Sequence, residues 1–198
     1  MSAARREPLA HRRVSAWNVA NYLTVARLVL VPVFVVLLFA GGGDEAGWRV
    51  AAWVAFAVAA VTDYVDGELA RSRGIVTDLG KLLDPIADKA LTGSALVGLS
   101  LLGELWWWVT VVVLVRELGV TLLRFWVIRH GVIPASRGGK LKTLLQLVAI
   151  GLLVLPLPDP GHLVAAVIMG AAVVVTVVTG VDYVVRALRL RRGVVAGA

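Results

Sequence analysis

The stretch DYVDGELARSRGIVTDLGKLLDPIAD, residues 63–88, decides how the rest of the chain is read. It is flanked by AAWVAFAVAAV (51–61) and, after Lys89, by ALTGSALVGLSLL (90–102), both of which read as parts of membrane-crossing helices. Between them stand Asp63, Asp66, Asp84 and Asp88, and ionisable groups beside such apolar runs are costly enough to mark function. Read as helix, Asp63 and Asp66 are three apart with Ala70 four beyond, while Gly80, Asp84 and Asp88 follow at steps of four. Each set therefore lines one helical face. Two consecutive helices joined by a short turn are antiparallel neighbours, which brings both faces together near the joined ends. Four carboxylates in one small volume repel one another unless cations neutralise them. An all-oxygen donor set suits hard divalent ions, Mg²⁺ or Mn²⁺, and two ions are expected. Gly67 and Gly80 remove side-chain bulk, and Arg71 adds a permanent cation able to fork onto phosphate oxygens. The stretch thus fits a phosphate-bearing substrate better than a bare ion site. The plainer alternative, salt-bridged aspartates at helix ends near the membrane surface, accounts poorly for four acids at regular spacing.

The positions Asp63, Asp66, Gly67, Ala70, Arg71, Gly80, Asp84 and Asp88 resemble the full signature of the CDP-alcohol phosphotransferases, D-x-x-D-G-x-x-A-R-x(8)-G-x-x-x-D-x-x-x-D, with every position matched. The resemblance implies that Asp63, Asp66 and Asp84 hold a di-metal centre, with Asp88 near it as a further ligand and as the base for the acceptor hydroxyl. It implies further that Asp66, Gly67, Ala70, Arg71 and Gly80 bind CDP-diacylglycerol, and that a phosphatidyl group passes to a polar alcohol with release of CMP. Other segments resemble the branch of that family that uses glycerol 3-phosphate: NVANYLTVARLVLVP (18–32), REL (116–118) and GKLKT (139–143). Ala20 stands where that branch usually has proline, while Asn18, Asn21, Thr24 and Arg27 are retained. Glycerol 3-phosphate brings close to two negative charges towards a centre rich in carboxylates, so it needs cations of its own. Arg116, Lys140 and Lys142 are the candidates for its phosphate, with Arg27 completing the ring.

Composition sets the frame. With 198 residues, 59% of them hydrophobic, and a mean hydropathy of +0.86, the chain reads as one integral membrane domain. The net charge of +7 reflects basic loops and termini facing anionic lipid; with no nucleic-acid module, nucleic acid is not expected as a partner. The absence of cysteine excludes disulfides and thiolate metal sites, and His11, His130 and His162 show no paired ligand spacing.

The expected fold is all-α and polytopic: six transmembrane helices behind a short interfacial helix over Trp17–Leu23. Residues 1–23 form the basic N-terminal tract and interfacial helix, 24–188 the membrane domain, and 189–198 a basic tail. The apolar run from Leu28 to Ala40 continues a helix from about Asn21 and lacks a convincing cleavage site, so it reads as an uncleaved first span. Span two covers about Arg49–Arg71, span three runs from the Ser72–Asp78 turn to Leu102, and span four covers Leu105–Arg129. Span five covers Leu141–Leu155, with Lys140 ahead of it and Lys142 at its start, and span six covers His162–Leu188. Trp106, Trp107 and Trp108 read as an interfacial belt. Arg116 and Glu117 are adjacent, so each is expected to face a different neighbour, and Asp182 is expected to pair with a basic residue near it. Gly170, Ala171 and Ala172 permit the close helix contact a homodimer would use, which by itself establishes none.

Basic residues collect at both termini and in the Arg71–Lys81 and Arg129–Lys142 connections, while the opposite turns hold Asp44, Glu45, Glu104 and Asp159 with only Arg49 nearby. The positive-inside rule then places both termini and the active site at the cytoplasmic face of the cell membrane. Two alternatives stand beside a glycerol-3-phosphate acceptor. A relative using inositol phosphate or phosphatidylglycerol would keep the whole aspartate signature. A cation transporter would also place acids in the membrane, but the fixed glycines, Arg71 and the lack of an internal repeat speak against it.

Overall fold

Each long apolar run folds as helix, since backbone polar groups in lipid find partners only within such an element or a closed barrel. The computed structural model describes residues 19–73, 78–127 and 137–195; within them, the side chains of 66–73 and 78–85 and a few near other helix ends lie outside the description. Among the described residues there are six α-helices and no strands: α1 Val19–Phe39, α2 Ala46–Arg73, α3 Asp78–Leu101, α4 Trp107–Val127, α5 Arg137–Val154 and α6 Asp159–Val195. Three of them, over Tyr22–Gly43, Ala46–Val65 and Asp159–Leu190, are long and apolar enough to cross a membrane. Trp17 and Asn18 lie outside the described residues, and Val19–Leu23 form the start of α1 itself, continuous with the rest of that helix.

Several boundaries differ from the sequence expectation, each for a local reason. Residues 137–142 form the first turns of α5, so Lys140 and Lys142 stand on the helix proper. The basic segment RALRLRR continues α6 to Val195, because arginine, leucine and alanine are all good helix formers. At 37 residues, about 55 Å, α6 outruns the roughly 30 Å hydrocarbon layer. A 3-10 turn over Ala40–Gly43 reverses the chain between α1 and α2, and its Gly41, Gly42 and Gly43 adopt φ of 59°, 77° and 85°, which side-chain-bearing residues rarely tolerate.

The core lies where α1 packs on α2 and α3, and α5 and α4 pack on α6. Ala52, Ala55 and Ala59 make a small-residue stripe along α2 that lets α1 approach closely, with Phe34 and Phe56 in contact at a centroid separation of 5.6 Å. Gly98 serves the same end on α3: a Cβ there would stand 2.6 Å from Leu38, which is fully buried. Outward faces carry exposed valines, such as Val29 and Val36 of α1 and Val167, Val174 and Val178 of α6, as lipid contact requires. Trp106, Trp107 and Trp108 are exposed. Among the described residues α2 and α3 touch each other only sparingly, and each packs chiefly on α1. The two halves of the aspartate motif therefore have α1 as their shared support.

The end of the bundle away from the motif is tied by Arg49. This buried side chain donates to the carbonyls of Val154 (2.9 Å), Leu153 (2.6 Å) and Gly43 (3.3 Å), and lies 3.4 Å from Glu104, which in turn is 3.6 Å from His162. One guanidinium thus caps the last carbonyls of α5 and joins the turns before α2 and α4. Arg49→Met keeps the stem and removes the donors. It is expected to cost about 2 kcal/mol and to lower the melting temperature of the detergent-solubilised protein by roughly 4–8 °C. At low temperature its turnover should be unchanged, because Asp63 lies about 21 Å further along α2. Circular-dichroism melts alongside activity assays check both parts.

Candidate active site

Five helices, α1 to α5, contribute side chains at the motif end of the bundle. α2 carries Asp63, Asp66, Gly67, Ala70 and Arg71, while α3 carries Gly80, Asp84 and Asp88, so all eight signature positions are helical, as their spacing predicts. The side chains of Asp66, Ala70, Arg71 and Asp84 lie outside the described residues. Of the two described carboxylates, Asp63 is part-exposed and accepts from Nη1 of Arg27 at 2.5 Å. Arg27, on α1, is fully buried and lies within electrostatic reach of Asp88 as well. The packing of α1 against both motif helices thus places a permanent cation between the two halves of the signature. Arg27 accordingly sits on the aspartate side of the site.

The donor set suits the divalent ions inferred from the sequence. All four acids are carboxylates carried at the joined ends of two consecutive helices, offering hard oxygen ligands and no sulfur. Among the described residues no three potential ligands gather, since only Asp63 and Asp88 of the four have described side chains.

A second group of charges adjoins Asp88. Asp88 and Lys89 from α3, Glu117 from α4 and Lys142 from α5 line a cavity of about 110 Å³, with Thr92, Thr143 and Gln146 adding polar groups and Val113, Leu114 and Leu118 an apolar wall. Its size suits a small polar molecule and is well below the several hundred Å³ of drug-sized pockets. Glu117 is the hub of its charges. Its Oε1 accepts from Lys142 Nζ and, at 2.9 Å, from Arg116 Nη1, while Oε2 lies 3.6 Å from Lys89 Nζ. Adjacent positions 116 and 117 therefore do converge, although their Cα–Cβ vectors diverge, because a long arginine can fold back onto its neighbour's carboxylate.

Arg116 stands behind this hub and does not line the cavity. Its Nη2 donates to Thr179 Oγ1 of α6 at 2.9 Å, its Nε is buried without a hydrogen-bond partner, and a Cβ at Gly180 would come within 3.0 Å of its Cγ. Gly180 makes the groove in which Arg116 lies. Lys142 is buried on the cavity wall, whereas Lys140 is exposed. Two residues apart on a helix is about 200° of rotation, so one of the pair faces inward and the other outward. Asp182 pairs with Arg186 at 2.9 Å on the surface of α6, well described by its i,i+4 spacing.

Lys89 and Glu117 were not singled out as site residues by the sequence. Lys89 follows the last aspartate directly, and Glu117 is the carboxylate of REL (116–118), in the middle of an apolar run. Each is the kind of group that needs a partner in a membrane helix, and only the meeting of α3, α4 and α5 shows which.

A family model described as CDP-alcohol phosphatidyltransferase matches residues 17–178. The "Probable phosphatidylglycerophosphate synthase" of Mycobacterium tuberculosis (strain ATCC 25618 / H37Rv) is 63% identical over 172 residues, covering 87% of this chain and 82% of that protein. The "CDP-diacylglycerol--glycerol-3-phosphate 3-phosphatidyltransferase" of Bacillus subtilis (strain 168) is 36% identical over 180 residues, covering 84% of this chain and 93% of that protein. The "Cardiolipin synthase (CMP-forming)" of Streptomyces coelicolor is 38% identical over 143 residues, 70% of this chain and 65% of that protein. The aspartate signature, helical throughout and ending on a cationic cavity, thus sits inside a match that spans most of the sequence, and the chain belongs to the CDP-alcohol phosphatidyltransferase family.

Proposed function

We propose that this integral membrane protein transfers a phosphatidyl group from CDP-diacylglycerol to glycerol 3-phosphate, giving phosphatidylglycerol phosphate and CMP. The observation that carries the reading is the junction at Asp88, where the acidic signature meets a small cavity walled by Lys89 and Lys142. A carboxylate that can take a hydroxyl proton there adjoins ammonium groups that can hold a phosphate. The names of the Mycobacterium tuberculosis and Bacillus subtilis relatives support the same acceptor.

In this reading Asp66, Gly67, Ala70, Arg71 and Gly80 bind CDP-diacylglycerol, the small residues making room and Arg71 meeting its phosphates. Lys142 and Lys89 hold the acceptor's phosphate, with Arg116 supporting them from behind. Lys140, exposed at the same end, meets lipid headgroups or the incoming acceptor. Asp88 takes the proton of the acceptor's hydroxyl while that hydroxyl oxygen bonds to the phosphatidyl phosphorus and the bond from that phosphorus to CMP breaks. Asp63, Asp66, Asp84 and Asp88 would hold two Mg²⁺ or Mn²⁺ ions, which when bound supply charge neutralisation at the pyrophosphate.

The same reading has all six helices crossing the membrane, both termini and the site at its cytoplasmic face, and lipid around the outer valines. The charged residues that set α4 and α5 apart from ordinary spans, Arg116, Glu117 and Lys142, point at one another inside the bundle, where such groups are tolerated. A second acceptor, phosphatidylglycerol, has the Streptomyces coelicolor relative in its favour. The test is CMP release from CDP-diacylglycerol with glycerol 3-phosphate, inositol phosphate, free inositol, serine and phosphatidylglycerol side by side. Glycerol 3-phosphate is expected to be preferred by at least about tenfold, the worth of one charge-assisted contact. A strong preference for any other acceptor sinks this assignment while leaving phosphatidyl transfer standing.

A further inference from the structure

Among the described residues of the cavity and its backing, three cations, Lys89, Arg116 and Lys142, converge on a single carboxylate, Glu117. They come from three different helices, α3, α4 and α5, and Arg116 is braced against a fourth, α6, through Thr179. Lys142 is buried, and a buried ammonium keeps its charge and its position only beside an anion. Glu117 is that anion. Its two oxygens are used unequally: Oε1 is shared by Lys142 and Arg116, while Lys89 stands off from Oε2 at 3.6 Å. Asp88 lines the same cavity, so the three cations face two carboxylates and the cluster is short of negative charge, with Lys89 loosely held at the cavity wall.

We propose that Glu117 is a positioning residue for the acceptor: it holds the Lys142 ammonium on the cavity wall and keeps Lys89 beside it, so that an entering phosphate dianion meets a preassembled pair of cations. The inference rests on the acceptor reading above. Glu117 need not touch the reacting atoms. It acts through the two lysines, and even with Asp88 counted the two carboxylates leave the three cations with a surplus that a phosphomonoester fills better than a neutral alcohol does. Preassembly matters because a lysine side chain otherwise loses rotamer freedom each time it binds, a cost the ion pair has already met.

Three variants in the full-length protein test this: Glu117→Gln, Glu117→Asp and Lys142→Met, each checked for a monodisperse, folded preparation and assayed by CMP release. Glu117→Gln is expected to raise the KM for glycerol 3-phosphate about tenfold or more, with kcat within about threefold and the KM for CDP-diacylglycerol unchanged. Inorganic phosphate, used as a competitor against glycerol 3-phosphate, should weaken by a similar factor. Glu117→Asp, which keeps the charge one methylene short, should recover part of the loss. Because part of the effect runs through Lys142 and the rest through Lys89, the loss in Glu117→Gln/Lys142→Met should be clearly smaller than the product of the two single losses.

Equal changes in both KM values, a loss confined to kcat, or full additivity of the two substitutions overturns the proposal. Should Glu117→Gln fail to fold, the Asp variant decides: an unchanged KM for glycerol 3-phosphate overturns it. Wild-type protein that releases no CMP with glycerol 3-phosphate fails the acceptor reading and this inference with it. Active wild type with unaffected Glu117 variants fails the inference alone.

Discussion

Asp63→Asn and Asp84→Asn are each expected to lower CMP release by about 10³-fold or more at limiting Mg²⁺ or Mn²⁺, a loss of roughly 4 kcal/mol of transition-state stabilisation. In the proposed di-metal reading each substitution removes one ligand charge from a set of four, and asparagine offers a neutral oxygen of the same shape. The remaining carboxylates cannot recover the charge, because their positions along α2 and α3 are set by the helices that carry them. Asp63 has a second relation to consider, since it accepts from Arg27. Asn at 63 can still accept that hydrogen bond, so the packing of α1 on α2 should persist and the variant should fold. Comparison with Asp84→Asn separates the two effects: loss common to both belongs to the shared metal site, and any excess in Asp63→Asn reports Arg27. Activity titrated against Mg²⁺ and Mn²⁺, with melting temperature in parallel, is the measurement. Near wild-type turnover by either variant at limiting metal would falsify the di-metal assignment.

Asp88→Asn is expected to reduce kcat by about 10² or more while CDP-diacylglycerol binding stays largely intact. Asp88 borders the cavity lined by Lys89, Glu117 and Lys142, so it is the signature aspartate whose described side chain meets the cavity proposed for the acceptor. Asparagine cannot take a proton there, and the step that moves the hydroxyl proton should slow. In the proposed reading, binding of the nucleotide depends on the rest of the signature, earlier on α3 and across on α2. Equilibrium binding of CDP-diacylglycerol, measured beside single-turnover CMP release, distinguishes the two roles. If Asp88→Asn loses nucleotide binding as completely as Asp63→Asn, Asp88 serves mainly as a ligand and another group takes the proton.

These two results and those for Glu117 divide the site along its physical parts. In the proposed reading the aspartate face concerns the donor and its charge, Asp88 the proton, and the Glu117 cluster the acceptor. Arg27, expected from the sequence to complete the ring of cations around the acceptor phosphate, is buried and paired with Asp63, within electrostatic reach of Asp88.

The sequence by itself determined the helical class, the order of the six helices and the motif, because each is written in one dimension. Apolar runs of the right length have one stable form in lipid, and glycine-rich or acidic breaks such as AGGGDEAG end them. Spacings of three and four place Asp63 with Asp66, and Asp84 with Asp88, on shared faces whatever else the chain does. The partners of those faces were decided only by the tertiary structure. That α1 serves as the common support of α2 and α3, bringing Arg27 to Asp63, depends on the alanine stripe of α2 and on Gly98 meeting particular side chains of α1. That Lys142 faces inward and Lys140 outward depends on α5 beginning at Arg137, ahead of its apolar run, and on how that helix is rotated against α4. Glu117 became the hub of three cations because α3, α4 and α5 meet at one level, a result of helix rotation and depth that pairwise packing sets and that no periodicity within a single helix records.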